Sequence, residues 1–164
     1  MVYIVMGVSG CGKTTIGKML ANEFNLPFFD ADDFHPAINV EKMSKGIPLN
    51  DSDRRPWLLE LAEHIKNWNS KKGAVLACSA LKENYRKLLF SASDKDHITL
   101  IYLHGKKDLI AERLKERSGH YMPPKLLDSQ FSDLEEPDNS IQVSINQSPK
   151  EILSNILKHL KYSL

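Results

Sequence analysis

The sequence is poor in cysteine: Cys11 and Cys78 are the only two among 164 residues. Two thiols cannot build a disulfide framework, and their spacing matches no zinc site. An excess of charge of one sign is missing as well, since 22 basic residues face 21 acidic ones for a net charge of +1. With no basic block and no RNA-binding signature, nucleic acid is not expected as the main partner. No hydrophobic run approaches the length of a membrane span, so no membrane association is expected. The opening residues lack the basic stretch of a secretory signal, which makes the cytoplasm the expected location. The six histidines form no HExxH pattern. Surface or packing roles are expected for His64, His97, His104 and His159. Repeats, low-complexity tracts and long linkers are absent too. What remains is an ordinary globular composition, sized for one domain over residues 1–164.

Within it, short apolar runs alternate with helical patterns. Strands are expected at Val2–Met6, Pro27–Phe29, Ala74–Cys78, Ile98–Leu103 and Ile141–Ile145. Helices are expected near Lys13–Phe24, Asp53–Asn69, Lys82–Phe90, Lys106–Arg117, Pro124–Leu134 and Pro149–Leu160. In the second helix Leu58, Leu61, Ala62, Ile65 and Trp68 recur at i, i+3, i+4 and i+7, so one face should be buried. Ser52 or Asp53 can cap its start, and Pro56 is tolerable only in a first turn that lacks intrahelical partners anyway. Strand–helix alternation implies right-handed crossovers: an α/β fold with a five-stranded parallel sheet and helices on both faces. Ligands of such sheets bind beyond the carboxyl ends of the strands.

The first strand runs into Gly7-Val8-Ser9-Gly10-Cys11-Gly12-Lys13-Thr14, a full match to GxxxxGK[ST], with Thr15 following. Glycines let the chain curl so that backbone N–H groups converge on a phosphate. The helix that opens at Lys13 adds its positive dipole end. Lys13 can bridge the β- and γ-phosphates, and the Thr14 hydroxyl can ligate Mg²⁺, so ATP with Mg²⁺ is the expected ligand. A glycine turn between strand and helix would account for the glycines but not for the Lys13-Thr14 pair.

After the second strand comes "FFDADDFH". Asp30 and Asp32 share one side if this segment is extended. One carboxylate could then hold Mg²⁺ through water, and the other could take a proton from an attacking hydroxyl. The alternative is a solvated acidic turn with Asp33 as a helix cap. The third strand ends "VLACSALK" with no carboxylate at its tip, which leaves Asp30 and Asp32 as the source of the metal's acidic partner.

Arginine accounts for only five basic residues: Arg54, Arg55, Arg86, Arg113 and Arg117. Its planar fork suits carboxylates and phosphates. Arg54 and Arg86 are expected to hold an anionic substrate, and Arg113 and Arg117 to close over the phosphates. In "RLKERSGHYMPP" a helix end, a glycine and two prolines bracket a short segment that reads either as a lid or as an ordinary helix–turn–helix.

The stretches "MGVSGCGKT", "DADDFHPAINVEKMSKGIPLNDSDRRPWL", "CSALKENYRKLL" and "RLKERSGHYMPPKLLDSQFSDLEEP" closely resemble the gluconokinases of the shikimate-kinase-like P-loop kinases, over roughly residues 3 to 160. The resemblance implies transfer of the ATP γ-phosphoryl group to the 6-hydroxyl of D-gluconate. It places Asp32 at the substrate hydroxyl, which leaves Asp30 and Thr14 for Mg²⁺. It assigns Arg54 to the substrate carboxylate. Ser79, Ala80 and Leu81 match a loop that approaches the substrate through backbone, with Lys82, Tyr85 and Arg86 on the following helix. His35 and His120 match histidines near the sugar and the lid, and "INQSP" at 145–149 matches a loop that packs on adenine. Asn146 departs from the aspartate common in relatives. The implied layout is one kinase domain with a lid near 117–125 and an acceptor-binding segment near 32–57. The family is often dimeric, so a homodimer is a further expectation. Two other readings remain open: a kinase for shikimate or another sugar acid, and a nucleotide-binding switch without transfer activity.

Overall fold

The first strand, β1 (Val2–Met6), sits at the centre of the sheet, where no polar face is tolerated. Val2, Ile4 and Met6 point to one side and Val5 to the other, and all four are fully buried. In the computed structural model, which describes residues 1–116 and 124–162, four further strands join it: β2 (Phe28–Asp30), β3 (Ala74–Ala77), β4 (Ile98–His104) and β5 (Ile141–Ser144). All pairs are parallel, in the order β2-β3-β1-β4-β5. The chain leaves β1 towards β2, returns to insert β3, then crosses to the far side for β4 and β5. The order therefore reverses at β1, and a crevice opens at its carboxyl end.

The helices are α1 (Lys13–Phe24), α2 (Ala37–Ser44), α3 (Asp51–Asn69), α4 (Glu83–Leu89), α5 (Lys107–Glu116), α6 (Pro124–Asp133) and α7 (Pro149–Tyr162). The expected stripe of α3 is buried in full, and with Trp57 it covers the sheet face formed by Val2, Ile4, Met6, Ala74 and Leu76. On the opposite face Ile16 and Leu20 of α1, Ile110 and Leu114 of α5, and Ile152 and Ile156 of α7 pack against Val5, Val75, Ile101 and Val143. Each such aliphatic side chain contributes about 1.5–3 kcal/mol by leaving water. The expected α/β architecture, a five-stranded parallel sheet between helical layers, is the one observed. Among the described residues no helix is long and apolar enough to cross a membrane.

Three local expectations are corrected. First, α3 starts two residues early, because its cap is Asn50 rather than Ser52 or Asp53. The Asn50 side chain accepts from the Asp53 N–H at 2.8 Å, and the Asp53 carboxylate accepts from the Asn50 N–H at 3.0 Å. This reciprocal pair is a capping box. Second, Pro56 consequently lies beyond the first turn and offers no N–H to the carbonyl one turn back. Third, α2 was not anticipated. Its eight residues carry no buried apolar stripe: Ile38 is 63 % exposed and Val40 51 %. It is held by polar ties instead, from Asn39 to the Asp53 carbonyl at 2.9 Å and from Lys42 to the Asp53 carboxylate at 2.8 Å.

Asn50→Ala should remove half of the capping box and lower stability by about 1 kcal/mol, or about 2–4 °C in Tm for a chain of this size. Ser52→Ala should leave thermal unfolding unchanged. Equal losses in calorimetry would return the cap to Ser52.

Candidate active site

Two glycines in the bend after β1 are required by its backbone. Gly12 has φ 98° and Gly10 φ 84°, both in the left-handed region. A Cβ on Gly10 would also lie 2.7 Å from the Leu114 side chain of α5. The Cys11 N–H closes a turn onto the Val8 carbonyl at 3.2 Å, and α1 begins as the Ile16 N–H reaches the Gly12 carbonyl at 2.9 Å. No side chain caps α1 at Gly12. The first-turn N–H groups, with Thr14 and Thr15 among them, thus remain available to an anion, and the helix dipole reinforces the attraction. The Lys13 ammonium donates to the Gly7 and Val8 carbonyls at 2.9 and 3.1 Å. The Ser9 N–H meets the Gln130 side-chain oxygen at 2.7 Å, and the Gln130 amide donates to the Ser9 hydroxyl at 3.0 Å. Cys11 is packed against this bend, and burial raises its thiol pKa, as it does for Cys78, pushed up to about 12. Both thiols are buried, and the raised pKa disfavours the thiolate.

Beyond β2 the chain does not stay extended. Ala31–Phe34 form a 3-10 turn whose N-cap is Asp30, not Asp33, with the Asp30 carboxylate accepting from the Asp32 N–H at 2.9 Å. Asp30 and Asp32 are therefore adjacent by a turn, not by strand alternation. The Asp32 side chain is 82 % exposed. Nearby protein mass disfavours its charged form and the Asp30 carboxylate repels it, which together raise its pKa. His35 and Lys13 pull the other way. Since Lys13 acts on Asp32, the β2 turn lies within electrostatic range of the glycine bend.

The loop after β3 closes the third side. Ser79 accepts from the Gly7 N–H at 3.4 Å. Ala80 has φ 47°, a conformation that costs an L-residue about 1–2 kcal/mol. Arg86 sustains it. One guanidinium nitrogen donates to the Ala80 and Leu81 carbonyls at 2.7 and 3.1 Å, and the other to the Glu135 carbonyl and the Glu83 carboxylate at 2.8 and 3.0 Å. At 2 % exposure, Arg86 braces this loop from behind rather than presenting a free fork to a substrate.

A second cationic cluster faces the same edge from α3 and α4. The Tyr85 hydroxyl donates to Asp51 at 2.6 Å and accepts from Arg54 at 3.0 Å. Arg54 and Lys82 both lie over the Tyr85 ring, with Asp51 at 3.8 and 3.7 Å respectively. The Tyr85 hydrogen bond, first, and the two cations hold the Asp51 carboxyl below its usual range. Two cations, one carboxylate and a phenol make a site of single net positive charge.

The shikimate kinase family model matches residues 9–161. A gluconokinase from Arabidopsis thaliana is 41 % identical, covering 99 % of this chain and 94 % of its own length. The chain belongs to the gluconokinase family of shikimate-kinase-like proteins. A crystal structure of a gluconokinase from Sinorhizobium meliloti superposes with a TM-score of 0.89 at 38 % identity, covering 98 % of this chain and 91 % of that one. Shikimate kinase from Aquifex aeolicus, at 20 % identity and a TM-score of 0.60, shares the fold.

On this gluconokinase-family scaffold the sheet edge gathers the phosphate bend, Asp30 and Asp32, the Ser79–Leu81 loop, and the Arg54, Lys82 and Tyr85 cluster. Arg113 stands at the other flank, donating to the Ile145 carbonyl at 2.6 Å in the 145–148 loop. Arg117, His120 and nearly all of the segment read as a lid lie outside the described residues. Sequence reasoning missed Gln130, Asp51 and Asn39. Asn39 and Asp51 lie within the acceptor segment expected near 32–57, without an individual role assigned to either.

Arg86→Ala should leave the buried Ala80 carbonyl without its guanidinium donor, while Leu81 keeps the Glu135 N–H, and cost about 1–3 kcal/mol in chemical denaturation. A stable variant that binds its acceptor poorly would restore Arg86 to the substrate.

Proposed function

We propose that this chain is a gluconokinase, transferring the γ-phosphoryl group of ATP to the 6-hydroxyl of D-gluconate and giving 6-phospho-D-gluconate and ADP. The observation that carries the reading is a phosphate-receiving bend and a singly positive acceptor wall at one sheet edge, in a chain whose full-length relatives are gluconokinases. Gluconate is a polyol with one carboxylate. Arg54 and Lys82, partly offset by Asp51, suit a monoanion, whereas a phosphorylated acceptor would call for a denser cationic cluster.

In this reading the amides of residues 7–15 that are not tied to a carbonyl cradle the phosphates, those of Gly7 and Cys11 being held by Ser79 and Val8. Lys13 exchanges the Gly7 and Val8 carbonyls for phosphate oxygens, and the Ser9 N–H exchanges Gln130. Among the described residues no group of three or more His, Cys, Asp or Glu side chains could hold a metal. That fits an ion delivered with the nucleotide, since Mg²⁺ keeps several waters and takes few protein ligands. Thr14, and Asp30 through water, would hold Mg²⁺, which neutralises charge on the β- and γ-phosphates. Asp32 takes the proton of the 6-hydroxyl. That oxygen bonds to the γ-phosphorus as the bridge to the β-phosphate breaks and leaves with ADP. Arg113 and Arg117 stabilise the transferring group. Arg54 and Lys82 hold the carboxylate, Ser79–Leu81 offer backbone, and His35 and His120 contact the sugar. One kinase domain, with the acceptor segment near 32–57 and a lid near 117–125, carries these parts.

The test is ATP turnover with gluconate, coupled to a 6-phosphogluconate dehydrogenase, beside shikimate and other sugar acids. Gluconate should be the preferred acceptor; a strong response to shikimate with none to gluconate would reject the reading. Asp32→Asn should cut kcat by about a hundredfold or more, with the KM for ATP little changed, as expected for a proton acceptor. A loss confined to nucleotide affinity would make Asp32 a metal holder only. Arg54→Lys should raise the gluconate KM about tenfold, because a forked contact becomes a point contact. An unchanged KM would place the carboxylate elsewhere.

A further inference from the structure

Helix α2 buries the wrong residue. Its hydrophobic side chains Ile38 and Val40 face water while Asn39 is 1 % exposed. A buried amide needs partners, and their chemistry fixes its orientation. One terminal atom lies 2.9 Å from the Asp53 carbonyl oxygen, which can only accept. That atom is therefore the nitrogen, Nδ2. The same Nδ2 lies 3.3 Å from Nδ1 of His35. One amide hydrogen goes to Asp53 and the other to His35, so Nδ1 presents a lone pair. A neutral imidazole carries one N–H, which must then sit on Nε2.

The ring is held in place on one further side. It stacks on Trp57 with centroids 4.0 Å apart and planes 17° from parallel. The Trp57 indole N–H donates to the Ala31 carbonyl at 2.8 Å, in the turn that carries Asp32. Nε2 points towards that turn and lies 3.7 Å from the Asp32 carboxylate. This is too long for a direct hydrogen bond. It is short enough for one hydroxyl oxygen to reach both atoms, accepting from Nε2–H and donating to the carboxylate.

We propose that Asn39 is a positioning residue that locks His35 as the Nε2–H tautomer, so that His35 and Asp32 form a donor–acceptor pair for one hydroxyl of the acceptor. The lock needs no substrate; only the identity of the alcohol rests on the gluconate reading. Among the charged groups around the ring, Asp32 favours the imidazolium and Arg54 opposes it, while Asp30, Asp33 and Lys13 act on Asp32 itself. Burial is the largest influence and keeps the His35 pKa below its usual value, so the ring is neutral at neutral pH.

The experiment is long-range proton–nitrogen NMR on protein labelled with ¹⁵N-histidine, with the His35 signals identified by their loss in His35→Gln. The wild-type spectrum should show a protonated Nε2 and a bare Nδ1. Asn39→Ala should give a mixture of tautomers. Asn39→Asp, whose carboxylate only accepts, should place a proton on Nδ1. In kinetics Asn39→Ala should lower kcat/KM for gluconate about tenfold, the equivalent of one hydrogen bond, with the KM for ATP unchanged. A wild-type proton on Nδ1 overturns the proposal even if no variant folds, and so does an unchanged His35 spectrum in a folded Asn39→Ala. The expected tautomer together with no turnover of gluconate would support the Asn39 lock and reject the acceptor.

Discussion

Backbone amides can hold a phosphate only if no carbonyl has already claimed them; in the bend after β1 the Ser79 and Val8 carbonyls take the Gly7 and Cys11 amides, and the first-turn amides of α1 stay open. The bend lies where the strand order reverses, so neither neighbouring strand covers it. Gly10 and Gly12 adopt the positive φ values that let the chain curl there. The helix it feeds has no side-chain cap. Everything else at this edge is arranged around that opening. The Ser79 carbonyl ties the β3 loop to Gly7, and Lys13 reaches back from α1 across the bend. Gln130 brings α6 to the same loop.

The polar clusters of α2, α3 and α4 solve a different problem, that of keeping many polar groups ordered. Their central carboxylates each have more than one partner. Asp53 completes the capping box of α3 with Asn50, anchors Lys42 and offers its carbonyl to Asn39. Asp51 sits among Tyr85, Arg54 and Lys82, reducing the repulsion between two cations that would otherwise be held apart only by an aromatic ring. Such networks gain from mutual polarisation when every member is satisfied. They also make the site's charge a sum over the cluster, which no single arginine reveals.

Arg86 shows how a residue can serve a site without entering it. Its four contacts hold Ala80 in a left-handed conformation and join the β3 loop to Glu135, just past α6. Strain of this kind persists only where the surroundings over-determine it. The loop so braced meets the glycine bend where the Gly7 N–H reaches the Ser79 carbonyl.

The sequence alone determined what depends on near neighbours in the chain. The glycine bend, the strand alternation of Val2 to Met6 and the buried stripe of Leu58, Leu61, Ile65 and Trp68 are set by φ preferences and by spacings of two to four residues. Local chemistry fixes them, and the structure contains them as read. The family resemblance extended this reading to the acceptor. Tertiary structure decided the partner of each polar side chain. Arg86 finds a carbonyl 49 positions away and the Ser9 amide finds Gln130 at 121. Helix α2 forms on ties to Asp53 that lie 11 and 14 positions on. A hydrogen bond is directional and needs both partners in place, and at such separations only the folded chain brings them together.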